Sequence, residues 1–162
     1  LTEGELAVCR ISNGEYVAGG RPSVETGMHT GILKVRTADE VVLHFQSVAA
    51  TAFCCRSEPA NFNIVPEIPF YIGPIGWVPY VLPGSPELAT TASDVMKTHN
   101  LALLQNHGIV TVADSLDHAV QNAEFFEMAC EILLRNQNNA LLLDVAAVND
   151  LTALGVSAGG KV

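Results

Sequence analysis

His44 and Gln46 stand two residues apart in an apolar, β-branched stretch, Val41-Val42-Leu43-His44-Phe45-Gln46. Residues two apart on a strand leave the same face of the sheet, so one strand can offer two ligands to one metal ion. His107 sits in Asn106-His107-Gly108, on the connection after a strand-like run, where a side chain can reach a cleft at the end of a sheet. Glu25, in the predicted first turn of a helix, could supply a carboxylate base. The separations are long, and a lone histidine more often packs or hydrogen-bonds than ligates. On pattern alone, metal chemistry and a structural role both stay open.

The elements that must position these residues follow from local signals. Residues 5–11 and 16–18 read as a hairpin turning at Ser12-Asn13-Gly14-Glu15, with Asn-Gly at its centre. A hairpin that opens a chain needs covering neighbours, so the sequence reads as lacking an N-terminal segment. Ser23 is the predicted N-cap of a helix over 24–36, with Glu25 at the positive end of its dipole. A strand over 40–45, from Glu40 to Phe45, and a short Ala-rich buried helix over 47–56 follow.

Residues 58–84 are dense in proline, which forbids a long helix and predicts an irregular excursion holding one short strand near 77–81. An excursion of this length is usually functional or an interface, and Phe62, Phe70, Tyr71 and Trp77 are its candidate contact surface. Ser85-Pro86-Glu87 is a helix start, with Leu88, Ala92, Val95 and Met96 on one face. Strands over 101–105 and 109–112 flank Asn106-His107-Gly108, where the glycine permits a sharp change of direction. Ser115 caps the longest helix, whose Leu116, Ala119, Ala123, Phe126, Cys130 and Leu133 recur at helical spacing. Residues 137–162 read as a C-terminal tail, fraying through Ser157-Ala158-Gly159-Gly160. Alternating strands and helices predict one layered α/β domain over 1–162.

Composition narrows the function. The chain has 162 residues, 49% of them hydrophobic, enough for one sizeable core. Eight Lys+Arg against 17 Asp+Glu give a net charge of -9, and the basic residues are scattered, which argues against nucleic acid as a partner. No apolar run approaches a bilayer span and residues 1–20 carry no signal pattern, so no membrane role and a cytoplasmic location are expected. Cys9, Cys54, Cys55 and Cys130 have no regular spacing and read as free, buried thiols, with Cys54 and Cys55 in the core.

Four segments carry a resemblance. Pro22-Ser23-Val24-Glu25-Thr26-Gly27-Met28-His29 resembles the Ser-Ser-Glu/Asp-xxx-His helix start of class II aldolases, and Val41-Val42-Leu43-His44-Phe45-Gln46-Ser47 resembles their Val-Val-His-x-His-Ser strand. Pro83-Gly84-Ser85-Pro86-Glu87-Leu88-Ala89 is similar to their Pro-Gly-Ser-x-Glu-Leu-Ala, and Leu103-Leu104-Gln105-Asn106-His107-Gly108 to their Leu-Leu-x-Asn-His-Gly. The motifs stand in family order and cover roughly residues 5–136. The resemblance implies the class II aldolase/adducin fold, a layered α/β/α domain around a central, mainly antiparallel sheet. It also implies a homotetramer acting on a sugar phosphate or related aldol.

By the same resemblance, His44, Gln46 and His107 fall on the metal ligands, Glu25 on the proton carrier, and Ser23 on a serine that binds substrate phosphate. The implied cofactor is a divalent ion, Zn2+ in the family, with Mn2+ or Mg2+ brought into range by Gln46, because a carboxamide oxygen is a poorer zinc ligand than imidazole. The implied reaction is aldol cleavage through a metal-stabilised enediolate. A dehydratase, epimerase or decarboxylase on the same scaffold is the rival enzyme, and a non-catalytic adducin-like assembly domain is the rival from another class.

Two positions depart from the family. Gln46 replaces a histidine, and Val24 replaces a second phosphate-binding serine. Gln46 is open to three readings: an oxygen ligand, the support of a ligating water, or the mark of a site without metal. His29, four residues after Glu25 and on the same helix face, either replaces the absent imidazole or is a structural hydrogen-bonding residue. His99 and His118 read as surface side chains near helix ends. The expectation is that His44, Gln46 and His107 converge, with Glu25 lining the same cleft.

Overall fold

A computed structural model describes residues 2–39, 41–137 and 139–157. After a short 3-10 turn the elements run β1 (Ala7–Cys9), β2 (Tyr16–Gly19), α1 (Thr26–Val35), β3 (Val41–Phe45) and α2 (Val48–Cys54). A π-helical turn (Ile68–Ile72) follows, then β4 (Ile75–Val78), α3 (Pro86–Met96), β5 (Leu101–Leu104), β6 (Gly108–Ala113), α4 (Leu116–Arg135) and α5 (Val145–Ser157). β1 and β2 form the expected hairpin, closed around Gly14 at φ 73.

The central sheet has the order β3-β6-β5-β4. β6 is antiparallel to β3 and to β5, and only β4 and β5 are parallel. Alternation along the strands sends side chains to two cores. Leu101, Leu103 and Ile109 pack with Phe53 of α2 and Phe126 and Cys130 of α4. Ala102, Leu104, Val110 and Val112 pack with Met28 and Ile32 of α1 and Leu88, Ala92 and Met96 of α3. Helices thus cover both faces, which explains why β5 and β6 are buried at every position and read as unbroken apolar runs. Full burial of each large side chain, such as Phe53 or Phe126, contributes about 1.5–3 kcal/mol.

Local signals act where expected at two helix starts. Ser85 Oγ accepts from Leu88 N at 3.1 Å and Ser115 Oγ from His118 N at 3.3 Å. The start of α1 differs from the expectation of a helix over 24–36. Ser23 Oγ accepts from Glu25 N at 3.2 Å and Ser23 O from Thr26 N at 3.2 Å, so the serine closes a turn of its own, a local alternative that competes with helix. Helix begins at Thr26, and Glu25 becomes its N-cap residue.

Four further expectations are corrected. The left-handed residue between β5 and β6 is Asn106, at φ 54, a conformation asparagine tolerates; Gly108 serves a close approach instead. Phe62 is no contact aromatic: it is 4% exposed and packs between Phe53 and Phe126, with ring centroids at 5.2 and 4.8 Å. Within 137–162, read as tail, α5 lies against the π-helical turn, with Thr152 Oγ1 donating to Pro69 O at 3.3 Å. All four cysteines are free, but only Cys54 and Cys130 are buried; Cys55, at the end of α2, is exposed.

The short strand of the excursion lies at 75–78, slightly ahead of its expected place. Glu40, the expected first residue of β3, lies outside the described residues, as do Ala158, Gly159 and Gly160 of the expected frayed end. Among the described residues no helix is long and apolar enough to cross a membrane.

Candidate metal centre

β3 presents His44 opposite Val110 of β6, so the imidazole leaves the sheet on the side covered by α1. The N-cap position puts Glu25 at the end of α1 facing it. The turn after β5 carries His107 to the same place: the His44 and His107 rings stand edge to face with centroids 4.9 Å apart. Glu25 reaches between them, Oε2 lying 3.0 Å from His44 Nε2 and Oε1 3.5 Å from His107 Nε2. One ligand atom from each of Glu25, His44 and His107 falls within 4.8 Å of the others.

The protonation states in this group conflict unless a cation joins it. His44 Nδ1 lies 2.9 Å from the backbone oxygen of Ile109. A carbonyl can only accept, so Nδ1 carries the proton, and in the neutral ring Nε2 is a bare lone pair aimed at a carboxylate. Two acceptors 3.0 Å apart repel; a proton or a metal ion between them removes the repulsion.

A further atom points the same way. Glu25 is 7% exposed, and its Oε1 has no hydrogen-bond partner among the described residues. Leaving a buried polar atom unpaired costs about 1–3 kcal/mol, and more for a charged one. Burial holds the His107 pKa below its ordinary 6.5, against the opposing pull of Glu25 and with a further push from His44, which keeps the ring in its ligating, neutral form. Two imidazoles and a carboxylate are a donor set suited to a divalent transition ion.

The other predicted residues take different places. Gln46 is exposed, and its Nε2 donates to the backbone oxygen of His107 at 3.0 Å. His29 lies outside the group of three, its ring centroid 6.5 Å from that of His44, and hydrogen-bonds the backbone of Val42. Burial lowers its pKa, with His44 adding to the effect. Ser23 is at the surface two residues ahead of Glu25, its oxygen accepting from Glu25 N at 3.2 Å. His118 is exposed and His99 half-buried, bonded to Val95 O.

Two supporting residues carry no local sequence signal. Glu127, on α4, takes the place of the missing side-chain cap on α2: it accepts from Ser47 Oγ at 2.6 Å, Ala49 N at 2.9 Å and Ala50 N at 2.8 Å. It thereby anchors the junction that follows Gln46. Gly108 leaves room beside the site, since a Cβ there would lie 2.8 Å from Gln46 Cγ and Phe45 O and 3.3 Å from His44 Cε1.

Comparison with known proteins places the chain in a family. Over 94% of its length the chain is 32% identical to a 3-oxo-tetronate 4-phosphate decarboxylase of Haemophilus influenzae, covering 77% of that protein. It is 28% identical to an L-fuculose phosphate aldolase of Methanococcus maripaludis over 82% of the chain and 71% of the relative. Among solved structures, YgbL of Klebsiella pneumoniae, described as a putative aldolase/epimerase/decarboxylase, superposes with a TM-score of 0.87 at 28% identity, over 93% of this chain and 75% of that one. The chain spans as little as 59% of some of the decarboxylase relatives it matches. Residues 1–134 match the model of the class II aldolase and adducin N-terminal domain, and the chain belongs to that family.

Proposed function

We propose that this domain is the catalytic part of a divalent-metal carbon-carbon lyase acting on a phosphorylated sugar derivative. The observation that carries the reading is the Glu25 carboxylate held between the Nε2 atoms of His44 and His107, with Oε1 lacking a hydrogen-bond partner among the described residues. His44 and His107 supply the imidazole ligands, and an oxygen from Glu25 or Gln46 completes the set. When bound, a divalent ion would act as a Lewis acid, taking up the negative charge that develops on substrate oxygen as the bond breaks.

The chain's own residues do the rest. Ile109 O orients His44 through Nδ1, which keeps Nε2 directed at the site. Glu25, buried beside the reacting position, carries the proton that the carbon takes up after bond cleavage. Ser23, at the entrance to α1, offers its hydroxyl to the substrate phosphate. The ion is Zn2+ or, with an oxygen ligand in place of a third imidazole, Mn2+ or Mg2+.

Decarboxylation of a 3-oxo-tetronate 4-phosphate is the first reaction to test, because relatives of that name include the 32% match. Aldol cleavage of a ketose phosphate is the second, supported by the L-fuculose phosphate aldolase relative. Both leave an electron pair on carbon that Glu25 protonates. The test is an assay of purified protein with Zn2+, Mn2+ or Mg2+, following CO2 from the first substrate and aldehyde from L-fuculose 1-phosphate. Turnover that Glu25→Gln abolishes supports the reading. A folded, metal-loaded protein inert on both substrates refutes it and favours the assembly role.

A further inference from the structure

Gln46 stands where the family resemblance places a metal ligand, yet its carboxamide is engaged elsewhere. Nε2 donates to the backbone oxygen of His107 at 3.0 Å. Because that oxygen can only accept, the hydrogen bond decides which end of the carboxamide faces the turn: the nitrogen, which has no lone pair to give an ion. The stem lies beside Gly108. Gln46 Cγ lies so near Gly108 that a single added methyl would meet it at 2.8 Å. The side chain therefore runs along the glycine and ties the end of β3, which carries His44, to the turn that carries His107. The three donor atoms that gather nearby belong to Glu25, His44 and His107.

We infer that Gln46 is not a ligand but a positioning residue, a strap that sets the spacing of the two histidines. This rests on the metal-centre reading above. The strap has a geometric rationale: His44 is held on β3 by the sheet register, whereas His107 follows a left-handed Asn106 in a short turn whose orientation needs a tether. A hydrogen bond from residue 46 to the backbone of residue 107 provides one without occupying a coordination position.

Cobalt(II) titration followed by visible absorption tests this, because the energies and intensities of its ligand-field bands report the coordination sphere. Wild type is compared with Gln46→Met, which keeps the length of the side chain but removes both the donor and the oxygen. The strap predicts unchanged band positions in Gln46→Met with affinity weakened by a few-fold, about what one neutral hydrogen bond is worth. A band shift in Gln46→Met overturns the assignment. In metal-free wild type, an NMR contact between the Gln46 side-chain amide protons and the His107–Gly108 backbone is expected. Its absence overturns the strap itself, whereas a folded wild type that binds no cobalt while showing that contact overturns the metal-centre reading.

Discussion

Removing Glu127 should show how much one distant carboxylate contributes to holding the site. In Glu127→Ala, the backbone N–H groups of Ala49 and Ala50 lose their acceptor, and Ser47 Oγ loses its bond. Ala49 is 5% and Ala50 0% exposed, so water replaces the carboxylate poorly there, while the half-buried Ser47 can turn to solvent. One buried donor left unpaired costs about 1–3 kcal/mol. Loss of a negative charge at a helix N-terminus adds about 0.3–1 kcal/mol.

The expected destabilisation is about 3 kcal/mol, counting one N–H as partly rescued by water. At about 2–4 °C per kcal/mol for a chain of this size, the melting temperature should fall by about 6–12 °C. In urea, with a slope of about 2 kcal/mol/M, the midpoint should drop by about 1.5 M. Glu127→Gln keeps one acceptor but turns an NH2 toward the helix end, so it should fall between wild type and Glu127→Ala. Urea melts followed by far-UV circular dichroism measure all three. A midpoint that moves by less than about 0.3 M at unchanged slope, below about 0.6 kcal/mol, would show that the cap contributes little and refute the reasoning.

Three other perturbations read different parts of the same structure. Gly108→Ala should destabilise by about 1–3 kcal/mol, the usual cost of overpacking, and weaken cobalt binding. Its Cβ meets the Phe45 backbone as well as Gln46, so wild-type values in both measurements would contradict the close approach. Burial lowers the pKa of His107 below 6.5 in the folded chain, so the unfolded chain binds the proton more readily. The stability this provides is present above about pH 6.5 and is lost as pH falls through the lower folded value. The metal-free urea midpoint should thus be lower at pH 5.5 than at 7.5, and a rise would refute the sign. Cys54, its thiol pushed up to about 12 by burial, and Cys130, pushed up likewise, should resist iodoacetamide in the native protein while exposed Cys55 reacts. Peptide mass spectrometry checks this, and equal labelling of Cys54 and Cys55 would count against it.

Features that depend on neighbouring residues were legible in the sequence. Ser85-Pro86-Glu87 and Ser115 start helices because a side-chain oxygen three residues before a backbone N–H needs nothing beyond the local chain. The apolar runs over 101–105 and 109–112 read as strands, and His44 could be placed on a sheet, because strand periodicity is a local property. The family motifs identified the fold on the same residues.

What only the tertiary structure decided lies between segments far apart in the chain. Glu25 faces His44 and His107 because α1 starts at Thr26, a start set by the Ser23 turn rather than by the serine capping the helix directly. Glu127 caps a helix about 80 residues earlier, a pairing of acid and open helix end that no local spacing encodes. The helical order of α5 comes with a surface supplied by the π-helical turn, which a reading of residues 137–162 in isolation does not contain. The carboxamide of Gln46 is the sharpest instance: its residue type advertises an oxygen ligand, but the carbonyl presented by His107, 61 residues later, turns its nitrogen inward. Local sequence sets which groups a side chain carries, and the packed backbone sets which of them meets a partner.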